Sequence, residues 1–422
     1  MIKLLIIADD FTGALDTGVQ FSSAGLEVKV VTSREYDLAD YKVDVLVLDS
    51  ETRHLGSELA YKIVFDIVKK ARAYGVPCIY KKTDSALRGN IGSELQALLD
   101  ASGHKQLPFL PALPKMSRIT QNGVHYIDGV PVQDSVFGQD PFEPVLHSYV
   151  PDIIRLGTQV KVTCVPEESE QAYFKDSDEA DEPEILLYDA TTDESLMSAA
   201  VKLKQEGKMA ILAGCSGLAA TLPELLDLKG KAPRAALEKK QSFLVACGSV
   251  NPITSNQLTY AERHGFKRQY LSAEQKLDPL YWRSQKGRVE KERLLGKVKQ
   301  NRLFILDTND FPEKNATQHY ASTHKIKENE LRRRITESLG DILANILDDG
   351  SSRSLMVVGG DTLMGFLSKI GVTEVEPVAE ILPGTVVSRF QSKGRTHQII
   401  SKSGGFGDKE LLVRLANITT GI

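Results

Sequence analysis

Cysteine is scarce. The four thiols, Cys78, Cys164, Cys215 and Cys247, lie far apart and form no CxxC pair. That excludes a disulfide scaffold and fits reduced, buried thiols in a cytoplasmic protein. The eight histidines show no HExxH or comparable ligand spacing, and His319 and His324 stand five apart, the wrong interval for one helical face. No metal-ligating residues are therefore expected. Charge of one sign is missing too: 52 Lys and Arg against 56 Asp and Glu leave a net charge of −4. A general nucleic-acid surface would advertise a strong basic excess. No apolar run approaches the roughly 18 residues of a membrane span. The opening MIKLLIIADDF has a short apolar core followed by two aspartates, so it reads as a first strand and not as a signal peptide. Neither GxxxxGK[ST] nor GxGxxG occurs, so any nucleotide site must be of a less common design.

What is present is an alternation of strands and helices. LLIIA (Leu4–Ala8), VKVV (Val28–Val31), VDVLVL (Val43–Leu48) and PCIY (Pro77–Tyr80) are brief and almost continuously apolar, the pattern of parallel strands covered on both faces. Leu59, Ile63, Ile67 and Ala71 recur every four residues as a crossover helix, and another helix follows Gly92 through Leu95, Leu98 and Leu99. EILLYDA (Glu184–Ala190) and MAILAG (Met209–Gly214) add strands. Two segments interrupt: Leu107–Tyr149, rich in Pro, Gly and Asn with a hairpin turn at IDGV, and the acidic stretch Pro166–Pro183, read as a solvated loop or exposed helix. Leu228–Lys240 is short of large apolar side chains and is the candidate linker. Beyond it FLVACGS, RLFILDT, SLMVVGGDT and TVVSRF read as strands, and Glu330–Leu347 as a long helix. At 422 residues, the expected fold class is two α/β domains: a doubly wound parallel sheet over 1–230 and a mixed α/β domain over 241–422.

In an open parallel sheet, ligands bind beyond the carboxyl ends of the strands. Three strand ends in the first half are rich in chemistry: Asp9-Asp10-Phe-Thr12-Gly13, Asp49-Ser50-Glu51-Thr52-Arg53, and Lys81-Lys82-Thr83-Asp84-Ser85 with Arg88-Gly89-Asn90 beyond. Arg and Lys pair with a carboxylate while Asp accepts from hydroxyls, so the mixture suits a small polyhydroxylated anion. Each part also has a plainer role. Asp9 or Asp10 would cap the following helix, Arg53 alone would be an ordinary surface arginine, and Lys81 and Lys82 must point to opposite faces of their strand.

The second half carries three strand–loop–helix junctions rich in glycine and hydroxyls. They are Cys247-Gly248-Ser249 with Asn251, Thr254 and Ser255; Gly359-Gly360-Asp361-Thr362; and Ser403-Gly404-Gly405-Phe406-Gly407. Glycine allows close backbone approach, and free N–H groups at a helix start favour an anion. Asp361 or Thr362 as a simple helix cap is the plainer reading. All three junctions follow Gln241, so a nucleotide site is expected wholly in the second half.

Six stretches resemble the four-carbon acid sugar kinases, in that family's order: ADDFTGALDTGVQ, KKTDSALRGNIGSE, PALP, ACGSV, VGGDT and KSGGFG. The resemblance implies an ATP-dependent kinase acting on the terminal hydroxyl of a sugar acid such as threonate or erythronate, with Mg²⁺ carried on ATP. It implies an N-terminal substrate domain and a C-terminal nucleotide domain. Substrate positions would be Asp10, Arg53, Lys82, Thr83, Asp84 and Ser85; nucleotide positions would be Ser255, Gly359, Gly360, Asp361, Thr362, Gly404 and Gly405. KKTDSALRGNIG is closer to the D-threonate and D-erythronate members than to the 3-oxo-tetronate members, so the leading reaction is D-threonate to 4-phospho-D-threonate.

The chemistry of the residues fills in roles. Arg53 and Lys82 would hold the acid's carboxylate, with Arg88 in reserve, and glycine-loop amides with Ser249 would cradle phosphates. Asp84 or Asp10 would act as base, Asp84 being the first choice. The expected partners are the sugar acid and ATP, with a homodimer as the assembly entertained and no nucleic acid or membrane. Two other readings stay open: a nucleotide-dependent ligase using the same sites, and a sensor that binds acid or nucleotide without turnover.

Overall fold

The computed structural model describes residues 2–140, 143–167, 182–228, 230, 237–311, 315–348 and 352–421. The acidic stretch and the linker expected from the sequence lie mostly outside these residues. The chain forms two compact units, Met1–Arg234 and Ala235–Ile422.

Among the described residues the first unit is built on eight parallel strands. In chain order these are β1 (Leu4–Ala8), β2 (Val28–Val31), β3 (Val45–Asp49), β4 (Cys78–Lys82), β5 (Gln106–Leu110), then, after a small antiparallel sheet of β6 (Arg118–Gln121), β7 (Val124–Ile127) and β8 (Val130–Pro131), β9 (Lys161–Val165), β10 (Glu184–Tyr188) and β11 (Ile211–Gly214). The sheet order is β2-β3-β1-β4-β11-β5-β10-β9, with every pairing parallel. The chain leaves β1 toward β2 and β3 and returns on the other side at β4. This reversal brings the carboxyl ends of β3, β1 and β4 side by side, the place where such sheets bind ligands. Strands β1 and β3 are buried throughout, which is why their sequences are continuously apolar. The turn between β7 and β8 is Asp128-Gly129, both with positive φ (51° and 78°), the backbone that a two-residue hairpin demands.

Two expectations need correction. The crossover helix runs Ser57–Tyr74, but its buried face is Ala60, Val64, Ile67, Val68 and Ala71, while Leu59 is 46% exposed. A strict four-residue spacing drifts around a helix of 3.6 residues per turn, so a stripe started at Leu59 leaves the core face. Strand β5 was hidden because Pro108 lies inside QLPFL; it nevertheless pairs with both β10 and β11, against the usual confinement of proline to edges.

The second unit has strands β12 (Ser242–Cys247), β13 (Lys267–Tyr270), β14 (Leu303–Asp307), β15 (Arg353–Val358), β16 (Glu374–Leu382), β17 (Thr385–Ser392) and β18 (Arg395–Lys402). Their order is β13-β14-β12-β15-β18-β17-β16. The pairings are parallel from β13 to β18 and antiparallel through β17 to β16, so the sheet is mixed. The polar edge strand β13 carries no alternation and was not foreseen. The carboxyl ends of β12, β15 and β18 are adjacent, and each runs into a glycine-bearing loop. No helix among the described residues is long and apolar enough to cross a membrane.

Candidate functional site

The first unit's crevice is organised by Arg53. Its Nε donates to Asp9 Oδ2 at 2.7 Å and its Nη2 to Asp10 Oδ1 at 2.7 Å, with Asp84 Oδ1 3.6 Å from the same nitrogen. One guanidinium thus ties together the ends of β1, β3 and β4. Asp10 also caps the helix Phe11–Ser23, accepting from Gly13 N at 3.0 Å, and its second oxygen accepts from Thr12 Oγ1 at 2.7 Å. Burial would raise the Asp10 carboxyl, but Arg53, Lys82 and the Thr12 hydroxyl together hold it below the ordinary carboxylate range.

Asp84 is more heavily committed. Arg88 grips it twice, Nε to Oδ2 at 2.8 Å and Nη2 to Oδ1 at 3.1 Å, and the backbone N–H groups of Ala86 and Arg88 each lie 3.3 Å from Oδ2. Burial opposes ionisation, yet Arg88 and Arg53 hold this carboxyl well below its usual range. Asp49 moves the other way: burial, then the charges of Glu51 and Asp10, push it well above the usual range. A dense cluster whose carboxyls are pushed in opposite directions is the pattern of a tuned site.

The two lysines separate as strand alternation requires. Lys81, fully buried, pairs with Glu94 at 2.9 Å behind the sheet edge. Lys82 donates to Thr83 O at 2.8 Å and stands beside Asp10: a Cβ added at Gly13 would lie 2.5 Å from Asp10 Oδ1 and 3.2 Å from Lys82 Nζ. Thr83 Oγ1 and Asp9 Oδ1 are buried with no hydrogen-bond partner among the described residues. Such atoms cost about 1–3 kcal/mol each when left unpaired, and a hydroxylated ligand is one way to satisfy them.

Sequence reasoning missed the hairpin's contribution. Arg118, buried on β6, donates to Ser85 Oγ and stacks over Phe137. His125 on β7 bridges Thr120 Oγ1 at 3.1 Å and Ser85 O at 3.0 Å, and burial pushes its ring down to about 4. Both lie in the segment read as an interruption; the IDGV turn was the available signal. Asp140 joins the same network through Arg88 Nη1 at 3.2 Å.

The second unit's crevice is of another kind. Gly248 N donates to Val358 O at 3.1 Å and Gly359 N to Lys402 O at 3.1 Å, so the three loops run abreast. An added Cβ at Gly248 would overlap Thr362 Oγ1, and one at Gly404 would overlap Ser249 Oγ. Gly359, at φ 109°, is the N-cap of the helix Gly360–Lys369 and offers no side chain, so neither Asp361 nor Thr362 is the cap. Asn251 caps the neighbouring helix Pro252–Arg263, with Ile253 N donating to its Oδ1 at 2.9 Å, and Ser255 is exposed in that helix's first turn. Thr254 Oγ1 donates to Gly404 O at 2.9 Å, and Gln257 Nε2 lies 2.9 to 3.0 Å from the carbonyls of Phe406, Gly407 and Asp408. Thr254 stands among the hydroxyls expected at this junction, and Lys402 opens the KSGGFG motif but had no role assigned; Gln257 was not foreseen, because it belongs to no glycine turn. The glycines let the three loops pack closely against the Thr362 and Ser249 side chains, and two helix starts lie at these loops; backbone N–H groups at such starts are donors that fit a polyphosphate. Among the described residues no group of three or more His, Cys, Asp or Glu is placed to hold a metal.

The geometry defines a two-unit α/β protein with a dense ion-pair cluster at the strand ends of one unit and three glycine-bearing loops abreast at the strand ends of the other. A sugar-binding N-terminal domain model matches residues 4–222 and a nucleotide-binding C-terminal domain model matches residues 244–412. The chain belongs to the four-carbon acid sugar kinase family. It is 27% identical to a D-threonate kinase of Salmonella typhimurium, covering 97% of both chains. It is 26% identical to a D-erythronate kinase of Heliobacterium modesticaldum over 99% of both, and 25% identical to a 3-oxo-tetronate kinase of Pseudomonas fluorescens over 96% of this chain and 94% of that one. The fold matches the crystal structure of the Haemophilus influenzae protein HI1011 with a TM-score of 0.67 at 21% identity, covering 98% of this chain and 99% of that chain.

Proposed function

We propose that the protein transfers the terminal phosphoryl group of ATP to the terminal hydroxyl of a four-carbon sugar acid, D-threonate first, giving 4-phospho-D-threonate. The observation that carries this reading is the Asp9–Arg53–Asp10–Asp84 cluster beside Lys82, at the carboxyl ends of β3, β1 and β4. Full-length similarity to D-threonate and D-erythronate kinases supports it. The substrate domain is residues 1–230 and the nucleotide domain residues 241–422.

Lys82 takes the acid's carboxylate, since the Nε and Nη2 of Arg53 already donate to protein carboxylates. Thr83 and Ser85 meet substrate hydroxyls. The base is assigned to Asp10 in preference to Asp84. Asp84 accepts from Arg88 at both oxygens, whereas Asp10 Oδ2 accepts only from Thr12. Asp84 then anchors Arg88 and steadies Arg53. In the second unit Ser249, Ser255, Gly359, Gly360, Asp361, Thr362, Gly404 and Gly405 hold the nucleotide. Mg²⁺ carried with ATP neutralises charge on the transferring group. The chain's own residues position the hydroxyl and accept its proton at Asp10.

An ADP-release assay over D- and L-threonate, D- and L-erythronate and 3-oxo-tetronate tests this, with the product's phosphate position read by NMR. The expected result is the highest kcat/KM with D-threonate and a 4-phosphate ester. Preference for D-erythronate or a 3-oxo acid would move the substrate within the class. No acid-stimulated ADP release would overturn the kinase reading.

A further inference from the structure

Lys402 closes β18 and is 1% exposed. Its ammonium donates to Thr254 Oγ1 at 3.2 Å, Ser403 O at 2.8 Å and Gly404 O at 3.3 Å. All three acceptors are neutral. Two other buried lysines pair with carboxylates, Lys81 with Glu94 at 2.9 Å and Lys276 with Asp310 at 2.8 Å, while Lys82 in the first unit donates to Thr83 O at 2.8 Å and stands beside Asp10. Among the described residues no carboxylate pairs with Lys402.

That arrangement has two consequences. Across a trans peptide the carbonyl and the following N–H point in opposite directions. Drawing the carbonyls of Ser403 and Gly404 in toward Lys402 therefore turns the N–H groups of Gly404 and Gly405 the other way. Gly404 also abuts Ser249, so these amides stand in the glycine-lined crevice at the ends of β12, β15 and β18. The second consequence is electrostatic: a buried ammonium without an anion is a standing cost that an anionic ligand would remove.

We propose that Lys402 is a positioning residue for the nucleotide, holding the Gly404 and Gly405 N–H groups toward its phosphates and placing a buried positive charge beneath them. This rests on the reading of the second unit as the ATP site. Burial pushes the Lys402 ammonium down to about 7, opposed only by the Cys247 thiol on β12; Thr254 on the neighbouring helix, Thr385 on β17 and the loop carbonyls that face it do not titrate. A bound polyphosphate raises that value, so at about pH 8 the protein must take up a proton as nucleotide binds.

The test titrates the full chain with Mg-ADP by calorimetry, at about pH 8, in two buffers of different ionisation enthalpy. Wild type should bind and take up a fraction of a proton. Lys402→Met should bind roughly ten- to a hundredfold more weakly with no uptake, the loss expected for a charged hydrogen-bonding group. Its thermal midpoint without ligand should be unchanged or higher, which a merely structural lysine would not allow. If that variant folds poorly, proton uptake by wild type alone decides. Binding by wild type without proton uptake, or full affinity in Lys402→Met, would overturn the inference. No binding of Mg-ADP or Mg-ATP by wild type would instead overturn the reading of the second unit.

Discussion

Both units place chemistry at the carboxyl ends of three adjacent parallel strands, yet they fill that edge with opposite materials. The first unit uses charge: Arg53, Lys82 and Arg88 interleave with Asp9, Asp10 and Asp84. The second uses glycine, hydroxyl and amide groups over one buried ammonium. On the proposed assignment, the difference follows from what each unit recognises. A four-carbon acid offers one carboxylate and a few hydroxyls that differ only in direction, so fixed charged acceptors and donors discriminate among its isomers. A polyphosphate brings its own charge and its own cation, so the protein mainly supplies oriented N–H groups.

The largest test of this contrast removes one carboxylate at a time from the first unit. Asp10→Asn should lower kcat by about 10²–10⁴, the usual effect of losing a general base, with modest change in the acid's KM. Asp84→Asn should do something else. It removes the charge that Arg88 pairs with and one of the two oxygens that accept from it, so stability should fall by about 3 kcal/mol and the acid's KM should rise. Steady-state and single-turnover kinetics on both variants decide. A larger loss of kcat in Asp84→Asn would exchange the two roles.

Charge density should also make the first unit the acid-sensitive one. His125 is held neutral, its value falling from 6.5 to about 4. Between those values the unfolded chain binds more protons than the folded one, so stability rises with pH across that window and is lost on acidification. The loss amounts to about 3 kcal/mol between pH 6.5 and pH 4. Denaturant titrations of wild type and His125→Gln across that window should show the slope flattened in the variant. An unchanged slope would place the acid sensitivity elsewhere.

The next effect is smaller and bears on which cation reads the acid. Lys82→Met should raise the acid's KM roughly ten- to a hundredfold, with the KM for ATP unaffected. Arg53→Lys should act mainly on kcat, because the bidentate hold on Asp9 and Asp10 is what lysine cannot reproduce. If Arg53→Lys instead raised KM alone, Arg53 would be the carboxylate reader that its sequence position first suggested.

Much of this was legible because strand ends carry their chemistry in consecutive residues. ADDFTG, KKTDS and VGGDT each place a polar run directly after an apolar one, and β1 and β2 were delimited to the residue. What could not be read was contact at a distance. Nothing in the sequence says that Arg53 ties Asp9 to Asp10, or that Arg118 reaches Ser85 across 33 positions. In the sequence Lys402 is only the first letter of a glycine motif; its burial depends on the packing of β18 against β15 and β17. Strand β5 was obscured by a proline that its neighbours tolerate, and β13 by its polarity at a sheet edge.

The finest test adds a single methyl group to each crevice. Gly13→Ala would set a Cβ 2.5 Å from Asp10 Oδ1 and 3.2 Å from Lys82 Nζ, shifting the two groups assigned to the acid. Gly248→Ala would press on Thr362 Oγ1 at the start of the helix Gly360–Lys369. Overpacking of this size costs about 1–3 kcal/mol, and some of it relaxes into neighbouring side chains. The expected outcome is a KM raised about fivefold to tenfold in each case, for the acid alone in Gly13→Ala and for ATP alone in Gly248→Ala. The double variant should then show the product of the two effects, because the substitutions share no partner. If either variant moved both substrates equally, the division between a charged acid crevice and a backbone phosphate crevice would fail, whatever the kinase's substrate proved to be.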